Sequence, residues 1–93
     1  MDIKERWIGV KDHDRYEVSN LGNVRNKKSG RILKPQLNRD GGYLRVNVGG
    51  DRDYIHRIVA KSFFDVNDDD FVVRHHDGDK TNNALCNLVI ESR

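Results

Sequence analysis

Along the first forty-eight residues, apolar positions come in short runs broken by turn-forming residues. Trp7 to Val10 is one such run. Tyr16, Val18 and Val24 flank the polar turn SNLGN, where Gly22 can supply the positive φ that tight turns often need. Arg31 to Leu33 is expected to form another short strand, stopping near Pro35, which cannot donate to a sheet ladder. After the turn signal Asp40–Gly41–Gly42 a strict alternation sets in. Leu44, Val46 and Val48 fall on one face, with Tyr43, Arg45 and Asn47 on the other. Gly49–Gly50–Asp51 turns the chain again, and Asp53 to Ile55 is expected to pair back as a hairpin.

The period then changes from two to that of a helix. In IHRIVAKSFF, the residues Ile55, Ile58, Val59, Ser62 and Phe63 share one face, and Ala60 and Phe64 widen it. This predicts an amphipathic helix over residues 56–64, with His56, Arg57 and Lys61 on its polar side. The acidic run from Asp65 to Asp70 ends it as a solvated loop. It lacks the regular ligand spacing and closing Glu of a helix–loop–helix calcium site. Phe71 to Arg74 and Leu88 to Ile90 read as a final pair of strands around the polar insertion HHDGDKTNN.

Composition narrows the class. A chain of 93 residues with 35% hydrophobic and 34% charged residues suits a small folded unit. No apolar stretch approaches the ~20 residues of a membrane span, and MDIKERW is too polar for a secretory signal. Cys86 is the single cysteine, which excludes a disulfide framework and an all-cysteine metal site and points to a reducing compartment. Beside Leu85 and Leu88 it is expected to be buried as a small apolar residue. The net charge of +2 conceals a division: residues 1–64 carry 14 basic and 8 acidic side chains, and Arg25 to Arg45 holds seven basic residues against Asp40 alone. Such clustering is either a solvated, turn-rich face or a phosphate-contacting surface. Arg25, Lys27, Lys28, Arg31, Lys34 and Arg45 are its candidates.

Seven polar residues within thirteen positions, His75, His76, Asp77, Asp79, Asn82, Asn83 and Asn87, form the densest chemical cluster. It reads as a plain loop or as a metal-assisted hydrolytic site. In the second reading a neutral imidazole, with a pKa near ~6.5, takes a proton from water. A hard divalent cation would stabilise charge on a phosphate oxygen, and an amide side chain would fix the imidazole tautomer. A zinc site built on Cys86 with His75 or His76 has no familiar spacing.

At this point two ordered motifs carry a resemblance. The run W-I-x(7)-Y-E-V-S-N-L-G-N-V-R from Trp7 to Arg25 resembles the small modular domain that precedes the nuclease core in phage and intron-encoded HNH (His-Me finger) endonucleases. Y-I-H-R-I-V-A-K-S-F from Tyr54 and V-R-H-H-D-G-D-K-T-N-N-A-L-C-N-L from Val73 resemble that core. The resemblance implies an α+β chain: a strand-rich, DNA-contacting module over residues 1–48, then a helix and a ββα-metal core over 49–93. His75 matches the general base and Asn87 the asparagine that orients it. Trp7, Tyr16, Gly22, His56 and Asn83 are carried over as structural residues. The implied partner is double-stranded DNA, the implied cofactor Mg²⁺ or another divalent cation, and the implied setting the cytoplasm of a phage-infected bacterial cell.

Two departures qualify this. The family places Asp or Asn, a metal ligand, immediately before the base, and here that position is Arg74, which cannot coordinate a cation. The family core also continues into a short helix bearing the last ligand, whereas this sequence stops at Arg93, so a partial core is expected. His76 and Asp77 are the substitute ligands within reach along the chain. Three readings fit: a metal-dependent nicking endonuclease; a non-cleaving descendant that binds DNA or a host protein, with Arg74 on a phosphate; and a fragment completed by another subunit.

Overall fold

The computed structural model describes residues 4–66 and 71–92. Among the described residues, eight strands and one α-helix follow in chain order: β1 (Trp7–Val10), β2 (His13–Ser19), β3 (Val24–Asn26), β4 (Gln36–Leu37), β5 (Leu44–Val48), β6 (Asp51–Tyr54), α1 (Ile55–Phe64), β7 (Phe71–His75) and β8 (Leu88–Ser92). They form three antiparallel sheets, β1-β2-β3, β4-β5-β6 and β7-β8. This is the α+β architecture expected, with the two strands of a ββα core at the end.

Local chemistry sets each turn. Between β2 and β3 the buried Ser19 Oγ accepts from the backbone N–H of Leu21 and of Asn23, each at 3.2 Å. Gly22 sits there at φ +88°. Between β5 and β6, Gly49 and Gly50 take φ +60° and +88°, the positive pair that a two-residue hairpin requires. Arg31–Leu33 does not become a strand: Ile32 forms one isolated bridge with Arg25, and Leu33 donates to the Val24 carbonyl at 2.8 Å. β4, which the pattern did not announce, pairs Gln36 with Arg45 and Leu37 with Leu44.

One apolar cluster gathers Val10, Val18 and Val24 from the first sheet, Val46 and Val48 from the second, and Phe71, Val73 and Leu88 from the third. Ile55, Ile58, Val59 and Ala60 of α1 lie at its centre. The helix packs on β1 and β2 and also on β5 to β8, so one apolar stripe does not suffice. His56 and Lys61, expected on a polar face, are both buried. Lys61 Nζ reaches Asp53 Oδ2 at 2.6 Å. Phe64, expected to widen the apolar face, is half exposed at the helix end, and Asp65 closes the helix at φ 52°. Beyond Val66 the rest of the acidic run lies outside the described residues. Cys86 is exposed, not buried: a 3-10 turn over Leu85–Asn87 directs Asn87 inward and leaves the thiol outside. No helix among the described residues is long and apolar enough to cross a membrane.

Candidate functional site

The polar insertion between β7 and β8 is a loop wired by its own side chains. Asp77 Oδ1 accepts from the Asp79 N–H at 2.8 Å, and Asp79 Oδ1 accepts from Thr81 N–H at 3.0 Å and Thr81 Oγ1 at 2.7 Å. Asn87 is the hub. Its Nδ2 donates to Asp77 Oδ1 at 3.0 Å and to the Asn82 carbonyl at 2.9 Å, while its Oδ1 accepts from Asp77 N–H at 3.2 Å. Asn82 Nδ2 closes the ring on Asp77 Oδ2 at 2.9 Å. These bonds, that from Asn82 foremost, hold the Asp77 carboxyl down at about 2.

His75 ends β7 opposite Leu88 and is half-buried. Its Nε2 lies 2.8 Å from Oδ1 of Asn83, a residue 4% exposed. With the amide assigned in this sense, Nε2 carries the proton and Nδ1 keeps a lone pair, the state a general base needs. Asn87 was the residue expected to orient the ring. Among the described residues no hydrogen bond joins it to His75, and the carboxamide on the imidazole is that of Asn83. Asn87 stabilises the loop that follows.

The wall behind His75 is aromatic. His56 meets it edge-on with ring centroids 5.3 Å apart, and Tyr43 lies 5.8 Å away. His56 also packs on Tyr43 at 4.8 Å and Tyr54 at 5.5 Å. Burial, then the neighbouring His75 and Arg57, push the His56 imidazole down to about 4, so it is neutral at neutral pH. Its Nδ1 is buried without a hydrogen-bond partner among the described residues. Lys80 stands on the outer side of Tyr43, with Nζ 5.0 Å from the ring and 2.9 Å from the Gly41 carbonyl. Nothing in the sequence pattern marks Tyr43 or Lys80 as part of this site. The β5 alternation assigns Tyr43 to the outer face, and the residues that cover it, His56, His75 and Lys80, arrive from α1, β7 and the loop after it.

The basic candidates separate into used and free. Arg25 is engaged internally: Nη2 lies 2.9 Å from Glu17 Oε1, and the guanidinium stacks 3.9 Å over Trp7. Tyr16 packs beside the same sheet's core. Arg45 is half-buried beside Arg52, Asp53 and Tyr54. Lys27, Lys28, Arg31 and Lys34 are exposed. Lys27 and Lys28 line an open depression with Asp14, Asn26 and Arg15, the last a residue the sequence pattern did not single out. Arg74 lies on the exposed face of β7, and its Nε pairs with Glu91 Oε2 of β8 at 3.1 Å.

Comparison with known proteins places this arrangement. The HNH endonuclease family profile matches residues 53–93, and the NUMOD4 motif matches residues 5–49. DNA endonuclease I-HmuI of Bacillus phage SP01 is 39% identical over 87 residues, which is 88% of this chain and 49% of that protein. The uncharacterized HNH endonuclease L245 of Acanthamoeba polyphaga mimivirus is 40% identical over 86 residues, 89% of this chain and 26% of its own. A solved structure, described as DNA binding and cleavage by the HNH homing endonuclease I-HmuI, superposes with a TM-score of 0.76 at 38% identity. It covers 94% of this chain and 52% of that one. The chain belongs to the HNH endonuclease family.

It spans about half the length, or less, of these HNH relatives. HNH nucleases imply a divalent metal, and the residues described here do not fit one. Among them no group of three or more His, Cys, Asp or Glu side chains could hold an ion. The two substitute ligands fare no better. Asp77 has both carboxylate oxygens engaged in the loop, and His76, though exposed, belongs to no such group. At the position before His75, Arg74 offers a cation where a ligand would have to offer a lone pair. What the described residues do hold is the His75 imidazole, with the Asn83 carboxamide on Nε2 and its back wall filled by His56 and Tyr43.

Proposed function

We propose that this chain is a DNA-binding HNH module that grips duplex DNA without cleaving it efficiently on its own. The observation that carries the reading is Arg74, paired with Glu91 at 3.1 Å in the position that precedes the base. A guanidinium there can bind a phosphate, and the exposed pair with Glu91 is weak enough to exchange for one. It cannot activate water. The relative whose structure is described as DNA binding and cleavage supports DNA as the partner, as do the exposed Lys27, Lys28, Arg31 and Lys34. His75 Nδ1 remains able to accept a proton from water, so the hydrolytic base is retained. Such a module would meet DNA in the cytoplasm of a phage-infected bacterium.

The test uses supercoiled plasmid with Mg²⁺, with Mn²⁺ and with chelator, beside the His75→Ala variant. Retarded plasmid that stays supercoiled in all lanes, with retardation lost as salt rises, is the expected result. Metal-dependent nicking that disappears in His75→Ala would overturn the non-cleaving part. No retardation even at low salt would replace DNA by a protein partner.

A further inference from the structure

The N-terminal module does more than neighbour the site: we propose that its Ser19–Asn23 turn positions the His75 imidazole, through a contact between Gly22 and Asn83. The turn docks directly on the loop that holds the base. Leu85 N–H donates to the Asn20 carbonyl at 2.7 Å. Two residues back along the loop, a Cβ placed on Gly22 would stand 2.9 Å from the Asn83 carbonyl oxygen and 3.0 Å from its carbonyl carbon and its Cβ. Two of these are backbone atoms and the third is the root of the side chain, so none can swing aside as a flexible tip would. Asn83 itself is buried, and its Oδ1 is 2.8 Å from His75 Nε2. Displacing its Cβ displaces the carboxamide, and the imidazole loses the acceptor that keeps the proton on Nε2.

Gly22 is therefore a positioning residue, acting at one remove. Its φ of +88° alone would favour glycine, and this gives a control. Gly50 has the same φ of +88° but nothing within 4 Å of its virtual Cβ. An alanine at either site is forced to the same positive φ, and only one meets Asn83.

The experiment reads the ring and not cleavage, so its outcome is separate from whether DNA is bound or cut. Imidazole nitrogen resonances of the ¹⁵N-labelled full chain report the tautomer, and exchange of the His75 Nε2 proton reports its hydrogen bond. In Gly22→Ala, exchange is expected to accelerate about tenfold, the scale of one hydrogen bond, with the tautomer pattern changed. In Gly50→Ala both should match the wild type. In an Asn83→Ala background, Gly22→Ala should add no further change, because the pathway is already cut. The proposal is overturned by a folded Gly22→Ala protein with wild-type His75 signals, by equal changes in Gly50→Ala, or by an additive effect beside Asn83→Ala. Should Gly22→Ala fail to fold, Ser19→Ala decides. It removes the hydroxyl that accepts from Leu21 and Asn23 and loosens the same turn without adding an atom. Faster His75 exchange is then expected, and unchanged exchange overturns the proposal.

Discussion

A histidine buried against two tyrosines and a second histidine makes His56 a liability in acid. Its imidazole is held at about 4, first by burial and then by the neighbouring His75 and Arg57. The unfolded chain takes up that proton near pH ~6.5, and the folded chain only near 4. Stability is thus fully present above about 6.5 and falls as the pH drops toward 4, by up to about 3 kcal/mol. Urea unfolding of the wild type and of His56→Phe at pH 7, 5.5 and 4 checks this. The variant should lose markedly less over that range, and parallel losses in the two proteins would sink the account. At this scale the sequence revealed types more readily than partners. The crowd of His, Asp and Asn from His75 to Asn87 announced a site. Which asparagine faces the imidazole did not follow, because Asn83 and Asn87 differ only in where the loop between β7 and β8 returns them. Asn83 arrives at His75, and Asn87 arrives at Asp77. The exposure of Cys86 has a related cause. Its apolar neighbours suggested burial, and a single 3-10 turn reversed it.

Elements with a clear period were legible, and those without one were not. β5, with its alternation, and α1, with its helical spacing, stand within a residue of their expected bounds. β4 has two exposed residues and no pattern, and it exists because the edge of β5 is available to pair with it. The burial of Lys61 was hidden by the assumption of a one-sided helix, whereas sheets flank α1 on more than one side. A lysine can be held there because Asp53, on the strand just before the helix, meets it at 2.6 Å. Asp53 also accepts at 2.8 Å from the N–H of Tyr54, the residue that precedes α1. Asp53→Ala should therefore cost about 3 kcal/mol, the usual scale for stripping a partner from a buried ion pair. Lys61→Met, which removes the charge and keeps the stem, should cost much less. Chemical denaturation of both variants distinguishes them, and equal losses would show that the pair matters only for packing.

For the whole molecule, charge distribution was legible, but its division of labour was not. The stretch from Arg25 to Arg45 looks uniformly basic in sequence. In the fold, Arg25 turns inward onto Glu17 and Trp7, while Lys27 and Lys28 join Arg15 around an open depression. The β2–β3 register, Tyr16 with Asn26 and Val18 with Val24, puts that depression at the end of the hairpin away from the Ser19–Asn23 turn. That turn touches Asn83 and so the His75 imidazole. The two ends fall within a body of 34 × 34 × 26 Å, so a duplex seated at His75 and reaching along the hairpin would meet the exposed lysines. Each phosphate neutralised contributes a slope of about −0.9 to the dependence of log K on log salt. The triple change Arg15→Ala, Lys27→Ala, Lys28→Ala should then flatten that slope by two to three units, roughly one per phosphate contact removed. Arg25→Ala should leave the slope unchanged and instead lower stability by about 1 kcal/mol, the scale of a cation–π contact with a half-buried ion pair. Fluorescence anisotropy on a labelled duplex across a salt series measures the first effect, and thermal unfolding the second. An unaltered slope in the triple variant, or a flattened one in Arg25→Ala, would move the DNA to another face.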